Sequence, residues 1–123
     1  MKKAIAVSVL AVMSLSCGQG KYDKSARING GSMIIDVRTA KEYKEGHLKN
    51  AINIPYTEIG ERIADHVKNR EEKITVYCRS GRRSGIAKET LKNKGYRLVV
   101  NAGAYAKLKD QEEKNEEKEN QKE

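Results

Sequence analysis

The chain has 123 residues, a formal net charge of +8 and neither Trp nor Phe. That length suits one small domain, whose core must come from Ile, Leu and Val with help from six tyrosines. A basic body draws small anions or nucleic acid. No nucleic-acid motif and no aromatic stacking platform accompanies the charge, so small anions, and no nucleic acid, are the expected partners.

Met1, Lys2 and Lys3 form a positive lead, and "AIAVSVLAVMSLS" at 4–16 is mostly apolar. Residues 1–16 therefore read as a signal peptide. The apolar stretch is well short of the roughly 20 residues that a membrane-spanning helix needs. "SLSC", closing on Cys17, is similar to a lipoprotein signal, although Ser14 stands where Leu is usual. Lipidation of Cys17 would give a membrane-anchored lipoprotein; ordinary cleavage would give a periplasmic protein. Both remain open, and both predict export. Under either outcome Cys17 does not pair with Cys78, the other cysteine. An exported chain with one cysteine left over points to a free reactive thiol or to intermolecular pairing.

Residues 17–24 read as a linker, 25–106 as the folded domain and 107–123 as a charged tail. "MIID" at 33–36 predicts a strand. "TAKEYKEG" at 39–46 predicts a short helix, with Thr39 and Glu42 as a capping box and Gly46 as its stop. "AINIP" at 51–55 is a second strand, ended by the single proline. In "TEIGERIADHV" at 57–67, Ile59, Ile63 and Val67 form one helical stripe. Thr57 is the expected cap, and Gly60 costs that helix roughly 1 kcal/mol against Ala. "KITVY" at 73–77 is a third strand, "RRSGIAKETLKNKG" at 82–95 a helix with Ala87 and Leu91 on one face, and "RLVV" at 97–100 a fourth strand. Short strands alternating with helices imply βαβ units and a parallel sheet. In the tail, Glu112 and Glu116, Glu113 and Glu117, and Lys114 and Lys118 place like charges four apart. Each pair disfavours a helix by roughly 0.2–0.5 kcal/mol, so the tail is expected to be disordered or only fractionally helical.

The chemistry is expected at Cys78. Sites in open parallel sheets gather at the carboxyl ends of strands, and "VYCRSGRRSG" puts Cys78 there, between a strand and a helix. A tight loop of this kind turns successive N–H groups inward as an anion nest. The helix N-terminus adds positive potential, Arg79, Arg82 and Arg83 add full charges, and Gly81 lets the backbone turn. Such surroundings lower a thiol from about 8.5 to about 3.5–7.5. Cys78 is thus the candidate nucleophile, and Arg79, Ser80, Gly81, Arg82 and Arg83 are the candidate binding residues.

Three stretches together, "IIDVRTAKEYKEGHLKNAINIP", "VYCRSGRRSGIAKETLKNKGY" and "VVNAGAY", resemble the rhodanese-like domain family, most closely its small exported single-domain members. The resemblance runs from about Met33 to Tyr105. It implies an α/β fold with a central, mostly parallel β-sheet flanked by helices. It implies a sulfurtransferase in which Cys78 takes sulfane sulfur from a small anionic donor such as thiosulfate. Cys78 would hold the sulfur as a persulfide and pass it to cyanide or a thiol. Asp36 and Arg38 match the family's "DVR" and His47 its "GH"; all three read as structural. Asn50 stands where the family usually has Gly, and Ala104 replaces the second Gly of the pair after the last strand. The tryptophan common near there is absent, with Tyr105 close by.

Two rival functions remain. One is a binding or persulfide-carrier module without turnover. The other is a phosphatase or arsenate reductase, whose loop would carry Arg six residues after the cysteine, where this chain has Ser84. Two histidines and two cysteines lack metal-ligand spacing, so no metal or cofactor is expected. Nothing suggests a large obligate interface, and a monomer is expected.

Overall fold

A computed structural model describes Arg27, Ile28 and residues 31–122. The expected signal, linker and Cys17 lipid site lie outside the described residues. The elements run β1 (Arg27–Ile28), β2 (Ser32–Asp36), α1 (Ala40–Glu45), β3 (Ile52–Asn53), α2 (Ile59–His66), β4 (Ile74–Cys78), α3 (Arg82–Asn93), β5 (Val99–Ala104) and α4 (Tyr105–Asn120).

The four strands β2, β3, β4 and β5 are parallel neighbours, with β4 between β2 and β5. β1 joins β2 antiparallel at Met33 and Ser32, while β3 pairs with Ile35 and Asp36. The expected flanked parallel sheet is therefore present, with one short antiparallel addition. Alternation along β2 and β4 sends side chains to opposite faces. Ile35, Val76 and Cys78 join the main core beneath α2 and α3, together with Ile59, Ile63, Ala87 and Leu91. Ile34 and Tyr77 face the other way and pack with Leu48 and Ala51.

The capping box at α1 forms: Thr39 Oγ1 accepts from the Glu42 N–H at 3.2 Å, and Glu42 Oε1 accepts from the Thr39 N–H at 3.4 Å. The cap expected at Thr57 does not. α2 is entered through a turn in which the Glu58 N–H donates to Pro55 O at 2.9 Å. Thr57 is held inside that turn, and Glu58 precedes the helix without a side-chain cap. Gly60 has a packing reason: a Cβ there would lie 3.1 Å from Thr90 Cγ2 of α3.

β5 starts two residues late and runs to Ala104, well past the expected 97–100. Asn, Ala and Gly are poor strand formers, which hides the end of β5. Continuous pairing with β4, broken by one irregularity between Val76 and Tyr77, overrides the local preference.

The tail also departs from expectation. α4 is helical over Tyr105–Asn120. Tyr105 and Leu108 pack on Ile34, Leu48, Ala51 and Tyr77, and Glu112 Oε1 accepts from the Lys49 N–H at 2.8 Å. Opposite charges four apart offset the like-charge pairs, as at Asp110 and Lys114, 2.8 Å, and Lys109 and Glu113, 3.9 Å. Tertiary packing of the first turns supplies what the sequence pattern lacks.

Candidate active site

Cys78 ends β4 and is fully buried. It is free of any disulfide. Its Sγ sits where an N-cap oxygen would sit for α3. Four N–H groups at a helix start have no partner within the helix, and here sulfur takes some of them. The Gly81 N–H donates to Sγ at 2.9 Å, and the Ser80 and Ser84 N–H groups lie close enough to help lower its pKa. The residue before α3 is Gly81 at φ 98°, with no side chain to cap the helix. A Cβ on Gly81 would be strained at that φ and would lie 3.5 Å from Gly103 Cα. Gly103, at φ 87°, brings the end of β5 alongside the loop.

Burial pushes the Cys78 thiol up. The Ser84 hydroxyl and the N–H groups of Ser84, Gly81 and Ser80 outweigh burial and bring it down to about 7. Hydrogen bonds to the charged form favour that form. The largest lowering contributions thus come from a hydroxyl and three amides, with the Arg83 charge also attracting the thiolate, where the sequence had given the arginines the larger share.

The three arginines separate. Arg83 is committed: Nη1 donates to Glu42 Oε1 at 2.7 Å and Nη2 to Glu42 Oε2 at 3.0 Å. Those bonds, opposed by burial, hold Glu42 down at about 2. Glu42 therefore both caps α1 and ties it to α3. Arg79 and Arg82 are exposed beside the loop.

Asp36 and Arg38 pair as expected of structural groups. Both are buried, with Arg38 Nη2 donating to Asp36 Oδ2 at 2.7 Å and to Gly46 O at 2.6 Å. The guanidinium lies 4.3 Å from the centre of the Tyr105 ring, so the aromatic residue near the expected tryptophan position is a cation–π partner. His47 stacks on Tyr43 with ring centres 3.6 Å apart, and its Nδ1 bonds Tyr43 O at 2.8 Å. Asn50 adopts φ 63°, the left-handed backbone that Asn tolerates. Ala104 lies at φ −90° as the last residue of β5, so its methyl causes no backbone strain.

Sequence reasoning missed two residues. Ser84 Oγ lies 3.4 Å from Cys78 Sγ and 2.7 Å from Asn101 Oδ1. Asn101 Nδ2 donates to Gly81 O at 3.0 Å, and Asn101 Oδ1 accepts from the Gly103 N–H at 3.0 Å. The position of Ser84 in the first turn of a helix that follows a nucleophile is a readable signal. No sequence signal brings Asn101, 17 residues later, to the same hydroxyl.

Residues 22–111 match the family described as Rhodanese-like domain. The chain is 49% identical over 76 residues to the thiosulfate sulfurtransferase PspE of Escherichia coli, covering 62% of this chain and 70% of that one. Among solved structures it is similar to a rhodanese with anions from E. coli, at TM-score 0.58 and 46% identity, covering 59% of this chain and 86% of that one. It is also similar to the human single-domain sulfurtransferase TSTD1, at TM-score 0.59 and 26% identity, covering 66% and 83%.

Proposed function

Because this chain belongs to the rhodanese-like domain family, we propose that it is a sulfurtransferase that carries sulfane sulfur on Cys78. The observation that supports this most is the thiol seated under the amides of Ser80, Gly81 and Ser84. Near neutral pH about half of that sulfur is thiolate, the form that acts as nucleophile.

In the first half-reaction Cys78 Sγ attacks the outer sulfur of thiosulfate. The S–S bond of the donor breaks, its electron pair leaves with sulfite, and Cys78 becomes a persulfide. In the second half-reaction cyanide or a thiolate attacks the outer persulfur. The Cys78 S–S bond breaks and returns the electron pair to Sγ. No external oxidant or reductant enters. The same amides that bond the thiolate serve the persulfide anion, because preorganised N–H donors need no rearrangement as charge moves over the sulfurs. Arg79 and Arg82 supply the cations that attract the anionic donor, since the charge of Arg83 is taken by Glu42. A phosphatase-type arginine has no place in this loop: the sixth residue after Cys78 is Ser84, with its hydroxyl on the sulfur side.

We further propose that residues 1–16 direct export, that the mature chain begins either at a lipidated Cys17 or at an ordinary cleavage site near it, and that the folded domain works as a monomer. Intact mass spectrometry tests both parts. Thiosulfate treatment is expected to add one sulfur to the native protein and none to Cys78→Ser, whose far-UV spectrum stays native. A Cys78→Ser variant that still turns over thiosulfate and cyanide would overturn the reading. The mass of the protein purified from membranes reports the lipid.

A further inference from the structure

The Ser84 hydroxyl has one proton and three acceptors within reach: Asn101 Oδ1 at 2.7 Å, Gly81 O at 3.1 Å and Cys78 Sγ at 3.4 Å. Gly81 O is already served by the Gly85 N–H at 3.0 Å and by Asn101 Nδ2 at 3.0 Å. The contest is therefore between an amide oxygen and sulfur. At neutral sulfur the amide oxygen is the stronger acceptor and the shorter contact. An anionic sulfur is the stronger of the two, because hydrogen bonds to charged groups exceed neutral ones.

Asn101 cannot turn its amide over without cost. Its Nδ2 faces Gly81 O, and its Oδ1 faces the Gly103 N–H; a flipped amide would set oxygen against oxygen and N–H against N–H. Its acceptor is thus fixed toward Ser84. We propose that Asn101 is a positioning residue for Cys78: its Oδ1 holds the Ser84 proton while the sulfur is neutral and yields it to Sγ when the sulfur is anionic. No bond to carbon or sulfur forms or breaks in this exchange; one hydroxyl rotates. When the hydroxyl turns to sulfur, Oδ1 of the exposed Asn101 keeps the Gly103 N–H, so the acceptor is not left unpaired.

Removing the competitor frees the hydroxyl for sulfur, and the effect must vanish without the hydroxyl. The test is a double-mutant cycle read by the pH midpoint of Cys78 alkylation with iodoacetamide. Asn101→Ala is expected to lower the midpoint by about half a unit, Ser84→Ala to raise it by about one unit, and Asn101→Ala in the Ser84→Ala background to leave it where Ser84→Ala put it. The charged groups bounding the site are Arg79, Arg82 and Arg83 of the loop and α3, Glu42 of α1, and Asp36 and Arg38 at the end of β2. They are the same in every arm and drop out of the comparison. An equal shift with and without Ser84, no shift in either, or a rise with Asn101→Ala overturns the proposal.

Should Asn101→Ala not fold, Asn101→Asp carries the same cycle; it turns the Nδ2 bond to Gly81 O into an oxygen–oxygen contact, a cost common to both Ser84 backgrounds. Its near-isosteric carboxylate draws the hydroxyl harder, so the midpoint rises more with Ser84 present than with Ser84→Ala; an equal rise overturns it. The inference rests on Cys78 being the nucleophile. Alkylation does not depend on sulfur transfer, so loss of transfer in the parent and loss of coupling in the cycle are separate results.

Discussion

The Cys78 loop and α4 show two ways of attaching a segment to the same sheet. The loop is anchored at both ends by the larger core: Cys78 closes a buried strand, and Ala87 and Leu91 of α3 are fully buried beyond it. Arg83 and Glu42 then bind it sideways to α1. α4 is anchored at one end, by Tyr105 and Leu108 on the smaller core and by Glu112 on the Lys49 N–H. Its remaining turns are exposed and carry mainly surface ion pairs, such as Lys114 with Asp110, which contribute little each. The difference teaches where a small domain can keep a preorganised site. Amides hold a thiolate only if they stay in place, and burial on both sides of the loop does that.

Two leucines break the comparison most directly. Leu91→Ala removes a fully buried side chain beneath α3 and should cost about 2–5 kcal/mol, read by denaturant unfolding. Leu108→Ala, at the partly buried start of α4, should cost under about 1.5 kcal/mol. It should reduce the far-UV helical signal and leave sulfur transfer within about twofold. Comparable losses from the two would erase the distinction.

The next effect is that of pH on the loop alone. With Cys78 held at about 7, the alkylation rate and the first half-reaction should level off above that value. Below it they should fall about tenfold per pH unit, so about a hundredfold by two units lower. Because the folded thiol titrates below its ordinary value, ionised Cys78 also adds stability. That contribution is complete above the ordinary value and is lost as pH falls through about 7. A midpoint near the ordinary thiol range would mean that the amides do not act on sulfur. Leu108→Ala should leave this profile unmoved.

A smaller effect sharpens the sideways anchor. Glu42→Gln should destabilise the protein by about 1–2 kcal/mol, because it weakens a capping box and a bidentate pair together. Glu42 titrates at about 2 against an ordinary 4.5. Its contribution is therefore present above 4.5 and lost as pH falls through about 2. The stability gap between parent and Glu42→Gln should stay constant down to about pH 5 and close below it. Smallest of all, Arg82→Gln should raise the Michaelis constant for thiosulfate severalfold and shift the Cys78 midpoint by less than about 0.3 units, since amides and a hydroxyl lower that thiol.

Much of this was local and so legible in the sequence. Helical spacing gave Ile59, Ile63 and Val67 as a buried stripe, the Thr39–Glu42 box closed as written, and Cys78 fell at a strand end before a helix. Each depends on residues within one or two turns of each other, where periodicity and side-chain reach suffice. What tertiary structure decided was partnership between distant segments. It gave Glu42 to Arg83 across 41 residues, leaving Arg79 and Arg82 to face solvent. It carried β5 through Asn101, Gly103 and Ala104 by pairing with β4, and it folded α4 onto Leu48 and Ala51. Hydrogen bonds and burial depend on distance in space, and chain order fixes that distance only where the chain is short.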